Sequence, residues 1–197
     1  MNLSRRADPR RGTAALEFAL LLPVLLILLV ATAEVMAYVR AVHRLERTAA
    51  EVASATSQID AATQAELGGL FATANVLASP QRAWSTSTDP AGTARARTFI
   101  SVVAGSANGN GVAWSCARGD SGRLARLVSP PGSVTLPNGF QVPAGQTVVV
   151  VEIVSTVRAW MLTESLFGTA APAEIRTHAI LRPRQTQLSS LSGGCPA

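Results

Sequence analysis

Among the side chains able to do chemistry, the carboxylate of Glu17 stands in the least expected place. It lies between Leu16 and Phe18, at the mouth of a long apolar run, within RRGTAALEFALLLPVLLILLV from Arg10 to Val30. A lone carboxylate that enters hydrocarbon costs roughly a few kcal/mol, so it calls for a cation or for the membrane edge. The other reactive groups are dispersed. His43 and His178 are isolated, and no Cys or His spacing resembles a zinc site. Glu152, Glu164 and Glu174 are scattered through the last third, with no visible pairing for acid–base work. No G-x-S-x-G, no H-E-x-x-H and no glycine-rich phosphate loop occurs. These residue types and spacings point away from an enzyme, and neither a cofactor nor a metal is expected.

Charge points the same way. All 17 basic residues are arginines, and the first twelve positions hold Arg5, Arg6, Arg10 and Arg11 against Asp8. That is a balance of +3 out of the formal +5. From Thr13 onward arginines and acids are nearly equal and scattered, too weak a pattern for a nucleic-acid footprint. The basic character belongs to the leader.

The element that must position Glu17 is a helix. From Phe18 to Tyr38 are 21 residues whose only charge is Glu34. At about 1.5 Å per residue such a helix covers the ~30 Å of a bilayer core. The upstream arginines hold its start in the cytoplasm and place the bulk of the chain across the membrane. A cleaved secretory signal is the rival, with RRADPRR as basic region, Phe18 to Val30 as apolar region and Ala31 to Ala33 as cleavage site. Glu17 is a poor opening for such a region, and the helical pattern does not stop there. It continues through Val35, Val39, Val42, Leu45, Ala49 and Val52 in steps of three and four, with Ile59 on the same stripe after an interrupting Thr56. Arg40, Arg44, Arg47 and Glu51 take other faces, which makes the continuation amphipathic. The pattern predicts one helix of about 45 residues, membrane-embedded first and amphipathic after. The two cysteines, Cys116 and Cys195, then lie in an exported domain, where an even count suggests one disulfide. Two unrelated thiols are the alternative.

Beyond Asp60 the chain changes character. Thr63 with Glu66 forms a capping box before Leu67, Leu70, Phe71, Ala74 and Leu77, and Pro80 marks a stop, so a short second helix is predicted. Arg82 to Ala96 reads as a loop. RTFISVVAGS and GVAWSCARG flank ANGNG as an antiparallel hairpin, and Asn138-Gly139 is a second turn signal between short β-prone stretches. TVVVVEIVSTVRAW is the longest strand candidate, with Val149, Val151, Ile153 and Val157 on one face and Glu152, Thr156 and Arg158 on the other. EIRTHAILRPR gives a last strand ending at Pro183. Trp84, Trp114 and Trp160 read as packing residues. The expected fold class is α+β: a long N-terminal helix and a short second helix packed on a small, mostly antiparallel four-stranded sheet. The expected segments are a leader over 1–12, a transmembrane helix over 13–39, an amphipathic extension over 40–60, an exported domain over 61–184 and a C-terminal tail over 185–197.

The stretch G-TAALEF before some twenty apolar residues resembles the prepilin signal of type IV pilin-like proteins. The A-x-x-E-F-A surroundings and Pro23 within the apolar run resemble TadE-like proteins of the Tad (tight adherence) pilus system. VAWSCARG, LPNGF, the valine-rich strand, RPRQ and a terminal cysteine follow in the order of a TadE-like body. The resemblance implies that a prepilin peptidase cuts after Gly12, that Thr13 becomes the new N-terminus, and that Glu17 is the fifth mature residue. It implies that Glu17 meets the N-terminal amine of a neighbouring subunit in the assembled state. A carboxylate in low dielectric is stabilised by such a cation, which would make Glu17 a register device relieved only by assembly. The partners implied are the prepilin peptidase, other pilin and pseudopilin subunits and the inner membrane. The function implied is that of a minor pilin or pseudopilin in assembly of an adherence pilus. The alternative is a monomeric envelope protein, single-pass or signal-cleaved, with no pilus role.

Overall fold

The computed structural model describes residues 13–78, 96–129, 132–157, 173–185 and 187–196. The leader, the loop expected from Arg82 to Ala96 (apart from Ala96, which opens a strand), and Trp84, Arg158, Trp160 and Glu164 lie outside the described residues. The chain divides between Tyr38 and Val39: one unit carries the helix up to Tyr38, and the other begins at Val39 and holds the strands.

Helix α1 runs from Thr13 to Thr56, 44 residues with Pro23 inside. Up to Val39 its large apolar side chains are exposed all round the cylinder, Leu20 at 71% and Leu29 at 66% among them. A helix apolar on every side is built for a non-aqueous surrounding, and this one is long and apolar enough to cross a membrane. One of its few polar side chains is satisfied locally. Thr32 donates its hydroxyl to the Leu28 carbonyl at 2.7 Å, which satisfies it within the helix. Pro23 brings no N–H to the carbonyl four residues before it, that of Ala19.

From Ala41 onward the helix changes surroundings. Ala41, Leu45, Thr48, Ala49, Val52, Ala53 and Thr56 are buried, while Arg40, His43, Arg44 and Arg47 are exposed. The stripe anticipated from Val35 therefore starts later, since Val35 and Val39 belong with the apolar surface before it. Thr56 does not interrupt the stripe. It is fully buried and donates to the Val52 carbonyl at 2.7 Å, so its hydroxyl costs the core nothing. The helix stops there, which leaves Ile59 in the connection and ends the extension anticipated to residue 60 four positions early.

The chain then forms β1 (Ala62–Thr63) and α2 (Gln64–Leu77). Thr63 is the N-cap, its hydroxyl accepting from the Glu66 N–H at 3.2 Å, and Leu67, Phe71 and Ala74 are buried. Among the described residues seven strands follow: β2 (Ala96–Ser106), β3 (Gly109–Gly119), β4 (Val128–Ser129), β5 (Ser133–Val134), β6 (Thr147–Val157), β7 (Ala173–Leu181) and β8 (Leu191–Ser192). The main sheet is four-stranded and antiparallel throughout, in the order β3-β2-β6-β7. The anticipated hairpin is β2–β3, with a register shift between Val102 and Val103.

Strand β6 is central, and Val148, Val149, Val150, Val151, Ile153 and Val154 are all buried. A strand covered on both faces loses the apolar–polar alternation, which is why this stretch reads as an unbroken valine run. On one face Val103, Val148 and Val150 pack with Val128, Leu136 and Val142 from the excursion between β3 and β6. Phe99 and Val154 pack there with Ala125. The other face carries Ile100, Val102, Trp114, Val149, Val151, Ile153 and Ile175, equally buried. The apolar surfaces that remain to cover it, among the described residues, are the buried stripe of α1, the inner side of α2 and Leu188.

Asn138 and Gly139 turn the chain as their sequence predicts, at φ 56° and 66°, and the turn closes no hairpin. A turn of this kind pairs its flanks only if their backbones face each other, and here Leu136 and Val142 are drawn into the core instead. After Pro183 the C-terminal tail is held by more than its disulfide to β3. The Arg184 N–H donates to the Ser57 carbonyl at 2.8 Å, Leu188 is 2% exposed, and β8 pairs parallel with β1.

Candidate functional site: the start of the long helix

Thr13 is the first residue of α1, and Gly12 lies outside the described residues. Glu17 follows Thr13 by four positions, on the same side of the helix and about 6 Å further along its axis. Around it Leu16 is 69% and Phe18 60% exposed, so Glu17 projects from an apolar surface rather than from a polar one. The next ionisable residue is Glu34, about 25 Å along the helix. Two carboxylates thus bracket the apolar run.

In its second part α1 presents exposed ion pairs. Arg47 donates to Glu51 at 2.7 Å, and His43 lies 3.2 Å from Glu46. The hydrogen bond to Glu51 holds the Arg47 guanidinium above its ordinary pKa range. Pairs this exposed are largely screened by solvent and serve mainly as a solvated face.

The acids that look scattered in sequence are not all scattered in space. Arg176 donates Nε to Glu174 at 2.7 Å and Nη1 toward Glu152 at 3.5 Å. The Glu152 side chain is 4% exposed, and both its oxygens accept from the Arg126 N–H at 3.0 Å, with Leu127 N–H at 3.1 Å. Arg176 also donates to the Leu124 carbonyl, and Arg97 to the carbonyls of Ser121 and Arg123. Glu152 and Glu174 therefore share a guanidinium instead of forming an acid–base pair. Together these groups fix residues 120–127 against the sheet. The signal in the sequence was Glu152 itself, a single charge inside a valine run, which a strand buried on both faces can hold only if it is paired.

Cys116 and Cys195 are joined, with Cα atoms 5.5 Å apart, inside the range that a disulfide requires. Among the described residues no group of His, Cys, Asp and Glu could hold a metal ion.

A helix long and apolar enough to cross a membrane runs on as the amphipathic helix of a small α+β domain. The family model of TadE-like proteins matches residues 12–54, from the residue before α1 to two residues before its end. Over that helix the chain is similar to TadE-like proteins, as the pattern around Glu17 implies. No curated protein and no solved structure matches the chain, so the likeness rests on the helix.

Proposed function

We propose that the protein is a TadE-like minor pilin or pseudopilin that acts in assembly of a Tad-type pilus for surface adherence. Its role is structural, not enzymatic. In this reading a prepilin peptidase cuts between Gly12 and Thr13 at the cytoplasmic face of the inner membrane. Residues 13–39 of α1 then span the membrane, and the sheet domain is periplasmic or extracellular. The partners are the peptidase and other pilin and pseudopilin subunits.

One observation carries the reading: α1, described from Thr13 onward, bears a single early carboxylate, Glu17, in an otherwise apolar exposed surface, five residues after Gly12. Cleavage there would remove the +3 leader and create an α-amine at Thr13. The same cut would leave the described helix intact, whereas cleavage after Ala33 would divide a continuous element. The family match over 12–54 supports it, because it takes in both the glycine and the helix.

N-terminal sequencing of the protein purified from membranes of cells carrying the peptidase tests this. Thr13 is the expected first residue. Glu34 would make the chain a secreted protein, and Met1 or Asn2 an ordinary anchored one; either result overturns the proposal.

A further inference from the structure

The two halves of the disulfide are not equivalent. Cys116 lies on β3 and is 2% exposed, whereas Cys195 is exposed near the end of the chain. A thiolate coming from solvent therefore meets Cys195. Among the described residues few other contacts hold the arm that carries Cys195. At one end Leu188 is buried and accepts a hydrogen bond from the Trp114 indole at 2.7 Å. Between Leu188 and Cys195 there is a two-residue parallel pairing, Ala62 with Leu191 and Thr63 with Ser192, and a 3.3 Å bond from the Ser192 hydroxyl to the Ala62 carbonyl.

This arm covers the start of α2. Ala62 is 3% exposed, and Thr63, the N-cap, lies in the paired segment. A Cβ on Gly193 would approach the Gln64 side chain at 3.3 Å, and one on Gly68 would lie 4.0 Å from the Pro196 ring. The arm thus passes along the first turn of α2. Gly193 and Gly194 have φ of 82° and 77°, a conformation that suits glycine and lets the backbone come this close.

We propose that Cys116–Cys195 is a redox latch, opened and closed by thiol–disulfide exchange at Cys195, whose state decides whether the last residues seal the start of α2. The partner is a thiol, most simply a dithiol oxidoreductase of the compartment that holds the domain. To open the latch, the partner's thiolate attacks Cys195 Sγ and forms a new S–S bond with it. The bond to Cys116 breaks, and Cys116 leaves with the electron pair and takes up a proton. The partner's second thiolate then displaces Cys195, so the protein's disulfide gains two electrons and the dithiol is oxidised to its own disulfide. Closing runs the same steps backwards with an oxidised partner. Without the covalent end, two residues of pairing are too short to hold an arm in water. Residues 189–196 come away, Leu188 stays seated under Trp114, and Ala62, Thr63 and the first turn of α2 meet solvent. The latch does not depend on the pilus reading, since it needs only the domain and a thiol partner.

The test uses the full-length protein in detergent with glutathione as the attacking thiol. Mass spectrometry after acid quenching is expected to find the glutathione adduct on Cys195 and the free thiol on Cys116. In the fully reduced protein, amide exchange at Leu191, Ser192 and Thr63 through Glu66 should quicken by about tenfold or more, while β2 and β6 keep their protection. Cys195→Ser should show the same local quickening without reductant. An adduct on Cys116, or an arm as protected after reduction as before, would overturn the latch.

Discussion

The indole N–H of Trp114 donates to the carbonyl of Leu188 at 2.7 Å, across 74 positions of chain, and both residues are buried. The bond joins the third strand to a tail that, by sequence, had only its cysteine to tie it to the domain. It also gives the one polar atom of the indole a partner inside the core, which a buried tryptophan needs. Trp114→Phe keeps a ring in place and leaves the Leu188 carbonyl without a donor. The variant should lose about 1–3 kcal/mol of unfolding free energy, measured by denaturant titration of the full chain in detergent. A loss within error would mean that water or a neighbour replaces the indole at no cost.

Glu152→Gln tests the buried carboxylate. Glutamine has one oxygen where Glu152 has two, and its NH2 group would face the N–H of Arg126 or Leu127. Arg176 would retain only Glu174 as an anionic partner. We expect a loss of roughly 1.5–3 kcal/mol, with faster amide exchange over residues 120–127 and an unchanged sheet. Exchange that speeds up everywhere equally would show that Glu152 serves the whole core rather than this segment.

Two glycine substitutions should go in opposite directions. A Cβ on Gly105 would overlap the carbonyl oxygens of Val142 and Pro143, which are backbone and cannot swing aside. Gly105→Ala should therefore destabilise by about 3 kcal/mol or more, or prevent folding. Gly69 lies in α2 with nothing within 4 Å of a Cβ. Gly69→Ala should add about 0.5–1 kcal/mol, because alanine loses less backbone freedom in a helix. Thermal unfolding of both variants beside the parent decides the pair.

Glu17→Gln separates assembly from insertion and processing. The shape is kept and the charge is removed, so a neighbour's amine would lose its partner. Insertion should not suffer, since a neutral side chain enters a bilayer more cheaply than a carboxylate. Processed protein should accumulate in membranes at the parental level while surface fibres and adherence fall. Normal fibres and adherence would reduce Glu17 to a charge resting at the membrane interface.

What the sequence by itself determined was everything set by local period and by residue type. The membrane-length run, its amphipathic continuation, the Thr63 cap of α2 and the hairpin around Asn108 are all readable, because neighbours a few positions apart dictate them. The Cys116–Cys195 bridge was suggested by an even cysteine count in an exported chain, although its geometry was not. The tertiary structure alone decided which partners those elements found. β6 became the centre of the sheet, so the strand is buried on both faces and Glu152 had to be neutralised by Arg176 from the next strand. Asn138-Gly139 turned without pairing, because Leu136 and Val142 gained more by entering the core. The last residues became β8 because β1, more than a hundred positions earlier, offered them a free backbone edge. Each of these depends on contacts between residues far apart in the chain, where burial and hydrogen-bond satisfaction outweigh local preference and no spacing in the sequence records them.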